Sequence, residues 1–402
     1  MTSLKHCIAG CAVEMAKALR LCFICNEYPP SRHGGIGTVT RDLAEGLAAA
    51  GMCATVIGVY SPQVLAVSET IVEWINGVKV IRLPAVSKFI PAQAAYVLNR
   101  LRLLMAVKKE YASQPFDLLE VPDYEGILPW GGIRNVPIVC RGHGSAAYFD
   151  AELHKRRASR IIYHFEKQTL ARADHLVFVS KYTARKELEI SGLDREFEVI
   201  YNAVDTDYFS PDGRVVKDKG LILFVNTINP KKGVEPLMQA VNEVFEKDHS
   251  ARLRLLGKCF DDAYLQKLID LVQPKFQQRV EFLGHVDRAE VVRQMRQANL
   301  CVFPSFSEAF AMGPLEAMAV GCPVVYTKLA SGPETIEDRV SGVLCDPHHP
   351  SDIAHGILSI LGDEDFAQLL GRNARSRVIH HFNKADWIPQ NLTYYRSILQ
   401  KD

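Results

Sequence analysis

The chain has 402 residues, of which 48% are hydrophobic and 23% are charged, and its formal net charge is +1. This length exceeds one ordinary hydrophobic core and predicts two domains of roughly 150 to 200 residues each. A net charge near zero does not indicate a nucleic-acid-binding surface, so we expect no nucleic-acid partner. No apolar run approaches the roughly 18 to 20 residues of a membrane span. The ten cysteines lie mostly in apolar segments, which predicts buried thiols in a reducing cytoplasm.

From Leu21 onward, short apolar runs alternate with amphipathic segments, a pattern that predicts strands separated by helices. In the segment after the first strand, Val39, Leu43 and Leu47 recur every four residues, so one helical face is expected to be buried. Gly51 lies where the C-terminal end of this helix is expected. The strands predicted in the first half are LCFIC, CATVIGVY, VKVIRL, FDLLEV, PIVC and HLVFVS.

A second series of strands follows a turn-rich segment at residues 205–218, where Pro, Gly and Asp cluster without apolar periodicity. We therefore predict an α/β protein with two doubly wound parallel sheets. The expected divisions are an N-terminal extension at 1–20, a first domain at 21–210 and a second domain from 211. The strands predicted in the second half are LILFVN, RLRLLG, VEFLGHV, LCVFP, PVVYT and GVLCD.

The loop after the first strand, NEYPPSRHGGIGTVT, contains Gly34, Gly35 and Gly37 just before a helix. Ligands bind beyond the carboxyl ends of strands in open parallel sheets, because helix N-termini present free amides there. A phosphate or a sugar is therefore expected at this loop, although glycines that only shape a turn are the alternative. The spacing does not fit GxGxxG, and the second strand runs into Ser61 rather than an acidic residue, which argues against a dinucleotide.

Two other strand ends of the first half carry polar side chains. RGHGSAAYF places His143 between two glycines, where it is accessible, although an isolated histidine is often structural. EVPDYEG places Glu120, Asp123 and Tyr124 at a strand end, where they either face an acceptor or cap a turn.

In the second half, FVNTINPKKG places Lys231 and Lys232 between a strand and a helix. Their ammonium groups can add to the helix dipole in holding a diphosphate, and a solvated lysine pair is the alternative. The adjacent Asp261 and Asp262 are expected in a surface turn.

The segment SFSEAFAMGPLEAMAVG carries two glutamates on either side of an uncharged run. Glu308 is expected in the loop after a strand, and Glu316 in the first turn of a short helix that has Pro314 near its start. Both carboxylates can reach one crevice, with the backbone amides from Met312 to Leu315 between them. This arrangement suits a nucleotide sugar, because amides bind phosphate and carboxylates accept from hydroxyls.

Taken together, these segments resemble the retaining glycosyltransferases of family 4, which have the GT-B architecture of two facing Rossmann-like domains. SFSEAFAMGPLEAMAVGCPVV is similar to the family's hallmark of two glutamates with seven residues between them, and EYPPSRHGGIGTVTRDLAEGLAAAG is similar to its glycine loop and first helix. VIYNAVDTDYFSP is similar to its interdomain entry. The resemblance implies acceptor binding by 21–210, donor binding by 211–380 and a final helix at 381–402 that crosses back to the first domain.

The resemblance also implies individual roles. Glu316 would bind the ribose hydroxyls of the donor, and Glu308 the hydroxyls of its sugar. The residues expected to carry catalysis are His143, Glu308 and Lys232. The other expected donor contacts are Gly35, Lys231, Phe310, Ala311, Met312 and Leu315, and the expected acceptor contacts are Glu120, Asp123 and Tyr124. Thr227 stands where family members usually carry an arginine, and Lys231 is the candidate to replace that charge.

The resemblance predicts transfer of a hexose-type sugar, with retention, from a nucleotide sugar to a saccharide, a lipid-linked or a small-molecule acceptor, in polysaccharide or glycoconjugate biosynthesis. The resemblance implies no cofactor and no metal, and no DxD motif accompanies the predicted sugar site. The alternatives are a nucleotide-sugar epimerase and a non-catalytic nucleotide-sugar-binding protein. The basic stretches NRLRLLMAVKK and HKRRASRIIYHFEK are either ordinary surface helices or a peripheral contact with the inner face of a membrane. The base, the sugar, the linkage and the oligomeric state stay open.

Overall fold

The computed structural model describes residues 18–31, 34–66, 68–86, 90–128, 130–155 and 158–400. Within these ranges the strands form two sheets, one with eight strands and one with six. The expected extension at 1–20 lies mostly outside the described residues, and the first strand already begins at Arg20. None of the described helices is both long enough and apolar enough to cross a membrane.

The first sheet has the strand order β3-β4-β2-β1-β5-β6-β7-β8. Its neighbouring strands are parallel except for β3 and β4, which pair antiparallel at one edge. The strands are β1 (Arg20–Ile24), β2 (Cys53–Tyr60), β3 (Ile71–Ile75), β4 (Val78–Pro84), β5 (Leu118–Pro122), β6 (Ile138–Gly142), β7 (His175–Phe178) and β8 (Glu198–Val199). The helices among them are α1 (Gly35–Ala49), α2 (Ala92–Ser113), α3 (Ala146–Glu152), α4 (Arg160–Arg172) and α5 (Lys181–Ser191).

The second sheet is parallel throughout, with the strand order β11-β10-β9-β12-β13-β14. Its strands are β9 (Leu221–Val225), β10 (Arg252–Leu256), β11 (Val280–Gly284), β12 (Leu300–Phe303), β13 (Val324–Thr327) and β14 (Val343–Cys345). The helices of this half are α6 (Val234–Lys247), α7 (Asp262–Asp270), α8 (Arg288–Gln297), α9 (Met312–Ala319), α10 (Gly332–Thr335), α11 (Pro350–Leu361) and α12 (Glu364–His381), and α13 (Lys384–Leu399) ends the described chain.

The twelve strands predicted from apolar runs are confirmed, because parallel strands covered on both faces read as continuous hydrophobic segments. The predicted helix after β1 is also confirmed: α1 buries Val39, Leu43 and Leu47, and Gly51 follows it with φ = +84°. Two strands were not predicted. β3 lies at a sheet edge with Val72 and Trp74 exposed, and β8 has only two residues.

Each sheet has a hydrophobic core on both of its faces. Cys22 and Cys25 belong to the cores on opposite faces of the first sheet, as expected for residues three apart in a strand. Burial raises the pKa of both thiols, so neither is a reactive thiolate.

The final helix, α13, packs against the first sheet. Trp387, Tyr395 and Ile398 share a core with residues of β1 and β6. The side chains of Asn391 and Tyr395 also reach Arg141, which donates to Asn391 Oδ1 at 2.7 Å and to the Tyr395 hydroxyl at 3.2 Å. The described chain therefore ends on the sheet where it begins.

Candidate active site in the cleft between the sheets

A cleft of about 760 Å³ lies between the two sheets and is lined by residues from both. In each sheet the order reverses between two central strands, β1 and β5 in the first sheet and β9 and β12 in the second. Such reversals leave a crevice at the carboxyl ends of the strands, where ligands bind in doubly wound folds. Loops that follow all four of these strands line the cleft.

An ion pair between Lys232 and Glu308 lies on the second sheet's side of the cleft. Lys232 Nζ is 2.6 Å from Glu308 Oε1, and Ser305 Oγ donates to the same oxygen at 2.8 Å. Burial raises the pKa of Glu308, but the positive charges of Lys232 and Lys231 outweigh it, so the pKa lies below its usual value. In the described part of the chain no hydrogen bond uses Glu308 Oε2, which leaves this oxygen to accept from a ligand.

The helix α9 begins at Met312, and its N-cap residue, Ala311, provides no side-chain hydrogen bond. Met312 and Gly313, at its first two positions, both line the cleft, so their amides are available to an anion. Pro314 is the third residue of this helix, within the first turn, where its missing amide proton costs nothing. Leu315 is fully buried in the core and does not line the cleft, so the expected contact is not made by its side chain.

Glu316 therefore lies one turn into α9 rather than in its first turn, and it lines the same cleft as Glu308. Burial raises the pKa of Glu316 to about 7, although the positive charge of Arg288 works in the opposite direction. Among the described residues its carboxylate has no hydrogen-bond partner. It is thus a partly buried acceptor that a hydroxyl-bearing ligand can satisfy.

Two adjacent lysines of the second sheet's half, Lys231 and Lys232, line the cleft. Lys231 Nζ lies 3.2 Å from the centroid of the Phe149 ring, so it contacts the first sheet's half of the cleft. Thr227, where an arginine was expected, is exposed and does not line the cleft. Phe310 and Ala311 line it, and Phe310 packs against Tyr201 with ring centroids 5.0 Å apart.

Gly35 is the first residue of α1, and it lines the cleft opposite the lysines. Beyond the chain neighbours of Gly35 and its own helix backbone, an added Cβ would meet no atom of the described residues within 4 Å, so the space beside its backbone is open to a ligand. The helix N-terminus also holds a carboxylate that the sequence did not single out. Glu27 Oε1 accepts from the Gly37 amide at 2.7 Å, because a negative charge is favourable at that end of a helix.

His143 lines the cleft from the loop after β6. Burial, aided by the positive charge of Arg141, lowers the pKa of His143 to about 3, so its imidazole is neutral at physiological pH. Asp123 holds the backbone of this loop: Oδ1 accepts from the His143 amide at 2.9 Å and Oδ2 from the Gly144 amide at 3.1 Å. His143 can therefore make hydrogen bonds to a ligand but adds no positive charge.

Of the three residues expected to bind the acceptor, Glu120, Asp123 and Tyr124, only Tyr124 lines the cleft. Its side chain is 39% exposed. Asp123 is fully buried under the His143 loop, and Glu120 is buried in an ion pair, 2.7 Å from Arg141 Nε and 2.6 Å from the Tyr395 hydroxyl. The structure thus corrects the expectation for Glu120 and Asp123, because buried carboxylates need donors and both have found them within the protein.

Two more buried carboxylates, Glu166 on α4 and Glu187 on α5, were missed by the sequence analysis. Glu187 accepts from the amide and the hydroxyl of Ser145, and Glu166 accepts from the amides of Ala146 and Ala147 at 2.8 and 3.1 Å. The carboxylates of Asp123, Glu166 and Glu187 together accept hydrogen bonds from the backbone amides of five consecutive residues, 143–147. The available signal was a glutamate on the apolar face of each helix, a position that indicates a buried partner.

Family models match most of the chain in two adjoining parts. The model described as Glycosyl transferases group 1 matches residues 206–377, and the model described as Glycosyltransferase Family 4 matches residues 33–208. With the two parallel α/β sheets and the glutamates of the cleft, these matches define a glycosyltransferase of the GT-B fold. The chain belongs to the group 1 glycosyltransferases.

A relative that spans nearly the whole chain is an uncharacterized glycosyltransferase of Methanocaldococcus jannaschii, 24% identical over 95% of this chain and 99% of its own. Among solved structures, sucrose-phosphate synthase from Thermosynechococcus elongatus has a TM-score of 0.79 at 22% identity, covering 96% and 100% of the two chains. Anabaena HepE in complex with UDP-glucose has a TM-score of 0.73 at 17% identity, covering 94% and 100%. At these identities the two structures show a shared fold.

Proposed function

We propose that this chain is a retaining hexosyltransferase, which moves a sugar from a nucleoside diphosphate to an acceptor hydroxyl. The observation that carries the proposal is the Lys232–Glu308 pair beside the uncapped start of α9. It places a cation, a carboxylate oxygen and free amides along one wall of the cleft. These are the groups that a sugar diphosphate requires.

The donor would occupy the second sheet's half of the cleft. Lys231, Lys232 and the first amides of α9 would bind the diphosphate, Glu308 Oε2 would accept from sugar hydroxyls, and Glu316 would accept from the ribose. A nucleotide-sugar donor is also supported by the structural neighbour solved with UDP-glucose. Because negative charge grows on the diphosphate as it leaves, the two lysines would stabilise the transition state more than the bound donor.

The proposed reaction is a front-face displacement. The bond between the anomeric carbon and the phosphate oxygen breaks, the acceptor oxygen bonds to the same face of that carbon, and the acceptor proton passes to the leaving diphosphate. The chain's own groups would position the reactants and stabilise charge, with the neutral His143 beside the sugar. Saccharides, lipid-linked molecules and small molecules stay the proposed acceptors, for polysaccharide or glycoconjugate synthesis in the cytoplasm.

The proposal is tested by incubating the protein with UDP-, ADP-, GDP- and dTDP-sugars and with a panel of saccharide, inositol and polyprenyl phosphate acceptors. Nucleoside diphosphate release and the anomeric configuration of the product, measured by NMR, are the readouts. We expect release together with a product of unchanged configuration. Inversion would contradict the retaining mechanism, an epimerised donor without release would indicate an epimerase, and binding without turnover would indicate a binding protein.

A further inference from the structure

Within the segment EVPDYEG, Glu125 is the carboxylate that lines the cleft. Its side chain is 42% exposed, whereas Glu120 and Asp123 are buried. It follows β5, which lies at the strand-order reversal of the first sheet, and so lies on the first sheet's side of the cleft. This position is where an acceptor would enter.

The backbone of Glu125 has φ = +60°, the left-handed conformation that residues other than glycine, asparagine and aspartate seldom adopt. Hydrogen bonds to both its amide and its carbonyl maintain this conformation. The amide donates to Glu166 Oε1 at 2.9 Å, and the carbonyl accepts from Arg100 Nη2 at 2.7 Å and from the Tyr96 hydroxyl. Strain that the surrounding structure maintains in this way is typical of functional positions.

Gly126, the next residue, packs so closely against α4 that the loop cannot change its conformation. Gly126 also has a positive φ, +54°, and a Cβ at this position would lie 2.2 Å from the carbonyl carbon of Phe165 and 2.4 Å from the amide nitrogen of Glu166. The loop therefore packs directly on the backbone of α4. Moving Glu125 into an ordinary conformation would break this contact and its hydrogen bonds.

The side chain of Glu125 is oriented as well. Arg100 Nη2 lies 3.4 Å from Oε2 of Glu125, while the Arg100 guanidinium itself is buried over the Tyr96 ring, with its carbon 3.3 Å from the ring centroid. Among the described residues none donates to Glu125 Oε1. One oxygen is thus held by a buried cation and the other is left for a ligand in the cleft.

Glu166 connects this loop to the His143 loop. Its Oε1 accepts from the amides of both Glu125 and Ala146, and its Oε2 accepts from the amide of Ala147. Glu166 is only 2% exposed, so it does not contact a ligand in the cleft. It instead fixes the distance between the two loops that carry Glu125 and His143.

We propose that Glu125 binds the acceptor, accepting hydrogen bonds from the hydroxyls of a saccharide or polyol, and that Glu166 is the residue that positions it. The inference rests on the proposed function, because it assigns the acceptor half of the same cleft. A carboxylate held at one oxygen by an arginine favours a ligand with several hydroxyl donors and disfavours an anionic group at that point.

The test uses Glu125→Gln, Glu125→Asn and, as a matched control, Glu189→Gln on the exposed side of α5. Transfer from UDP-glucose or ADP-glucose to glucose, fructose, maltose and myo-inositol is compared with hydrolysis of the same donors. We expect both Glu125 variants to lower kcat/KM for the acceptor by roughly 10- to 100-fold, the loss of a charged hydrogen bond. Donor hydrolysis and the KM for the donor should stay within about twofold of the wild-type values, because the substitution changes only a side chain that is proposed to contact the acceptor.

Thermal unfolding separates a binding residue from a structural one. Asparagine tolerates the left-handed conformation better than glutamate, so Glu125→Asn should keep or raise the Tm while transfer falls. Unchanged acceptor kinetics, or equal losses in hydrolysis and transfer, would overturn the assignment of Glu125. A wild-type protein that binds donor but transfers to none of these polyols would also overturn it, whereas failure to bind any nucleotide sugar would contradict the proposed function instead.

Glu166→Gln gives a different result if Glu166 positions both loops. Its amide group can accept in place of only one carboxylate oxygen, so at least one of the three loop amides loses its partner. We expect kcat to fall for both transfer and hydrolysis while the KM for the donor stays unchanged and the protein remains folded at the assay temperature. Wild-type kcat in a folded Glu166→Gln variant would contradict the positioning role.

Discussion

Lys232 and Glu308 are 76 residues apart in the chain, yet Nζ of the lysine lies 2.6 Å from Oε1 of the glutamate. They meet because β9 and β12, the strands before their loops, are neighbours where the strand order of the second sheet reverses. A fixed cation and a carboxylate with one free oxygen therefore share one crevice. The donor half of the proposed active site is built around this pair.

Gly35→Ala tests the expectation that the donor diphosphate, held by the two lysines and the start of α9, also approaches the start of α1. The added methyl group meets none of the described residues within 4 Å beyond its own helix and chain neighbours, so the Tm should be unchanged or slightly higher. If phosphate approaches this backbone, the methyl group occupies its space, and the Kd for the donor should rise at least about tenfold. Gly213→Ala is the matched control, because its Cβ also meets open space, away from the cleft. Equal donor affinity in both variants would remove Gly35 from the site.

Glu316 should make donor affinity depend on pH near neutrality. Its folded-state pKa is raised from 4.5 to about 7, so below pH 7 the free protein holds it mostly protonated. A ribose whose hydroxyls donate to the carboxylate binds the ionised form, so the Kd should rise as pH falls, by at most about tenfold per pH unit. Calorimetric titration between pH 5.5 and 8.5 measures this dependence.

Glu316→Gln is the control for that titration. Burial also raises the pKa of Asp123, Glu166 and Glu187, so the difference between wild type and variant isolates the contribution of Glu316. His143 stays neutral over the whole range, because its pKa is lowered to about 3. Identical pH profiles for the two proteins would show that Glu316 does not bind the donor through its charge.

Tyr395→Phe tests whether Glu120 is structural. The change removes hydrogen bonds from the tyrosine hydroxyl to Glu120 at 2.6 Å and from Arg141 to that hydroxyl at 3.2 Å. Because the partners are charged and buried, we expect the free energy of unfolding to fall by about 1 to 3 kcal/mol, measured by urea denaturation. Tyr394→Phe, a neighbour whose hydroxyl has no hydrogen bond to the described residues, should cost less. A changed acceptor KM in folded Tyr395→Phe would contradict a purely structural Glu120.

The strands and the donor loops were predictable from the sequence because their signals are local. Apolar runs identify covered parallel strands, and the segments after two of them contain Lys232, Glu308 and, in the following helix α9, Glu316. The partners of buried groups were not predictable. Glu120 ends in an ion pair fixed by α13 through Tyr395, about 275 residues later in the chain, and no local pattern reports that contact.

The role of Glu125 was also not predictable from the local sequence. It belongs to EVPDYEG, in which the sequence predicts acceptor contacts at Glu120, Asp123 and Tyr124 and not at Glu125. What distinguishes Glu125 is a left-handed backbone held by Glu166 and Arg100, and this conformation arises only when α2 and α4 pack beside the loop. By side-chain type alone, Glu120, Asp123 and Glu125 are equivalent candidates for an acceptor contact.

Peripheral membrane contact stays a prediction, and α2 offers the surface to test. Leu98, Leu101 and Met105 are exposed on it, 40%, 40% and 64%, ahead of the exposed Lys108 and Lys109. If this face binds lipid, the protein should co-sediment with anionic vesicles, and Met105→Gln combined with Leu101→Gln should weaken that binding several-fold. Equal sedimentation with and without vesicles would indicate an ordinary surface helix.

The central claim is that the Lys232–Glu308 pair acts on the leaving diphosphate and the donor sugar. The direct measurement is nucleoside diphosphate release from the preferred nucleotide sugar by wild type, Lys232→Ala, Glu308→Ala and the surface control Lys247→Ala. We predict that the first two variants lose roughly two to three orders of magnitude in kcat, as expected for one preorganised transition-state contact, while Lys247→Ala matches wild type. Wild-type turnover in folded Lys232→Ala and Glu308→Ala would contradict the account.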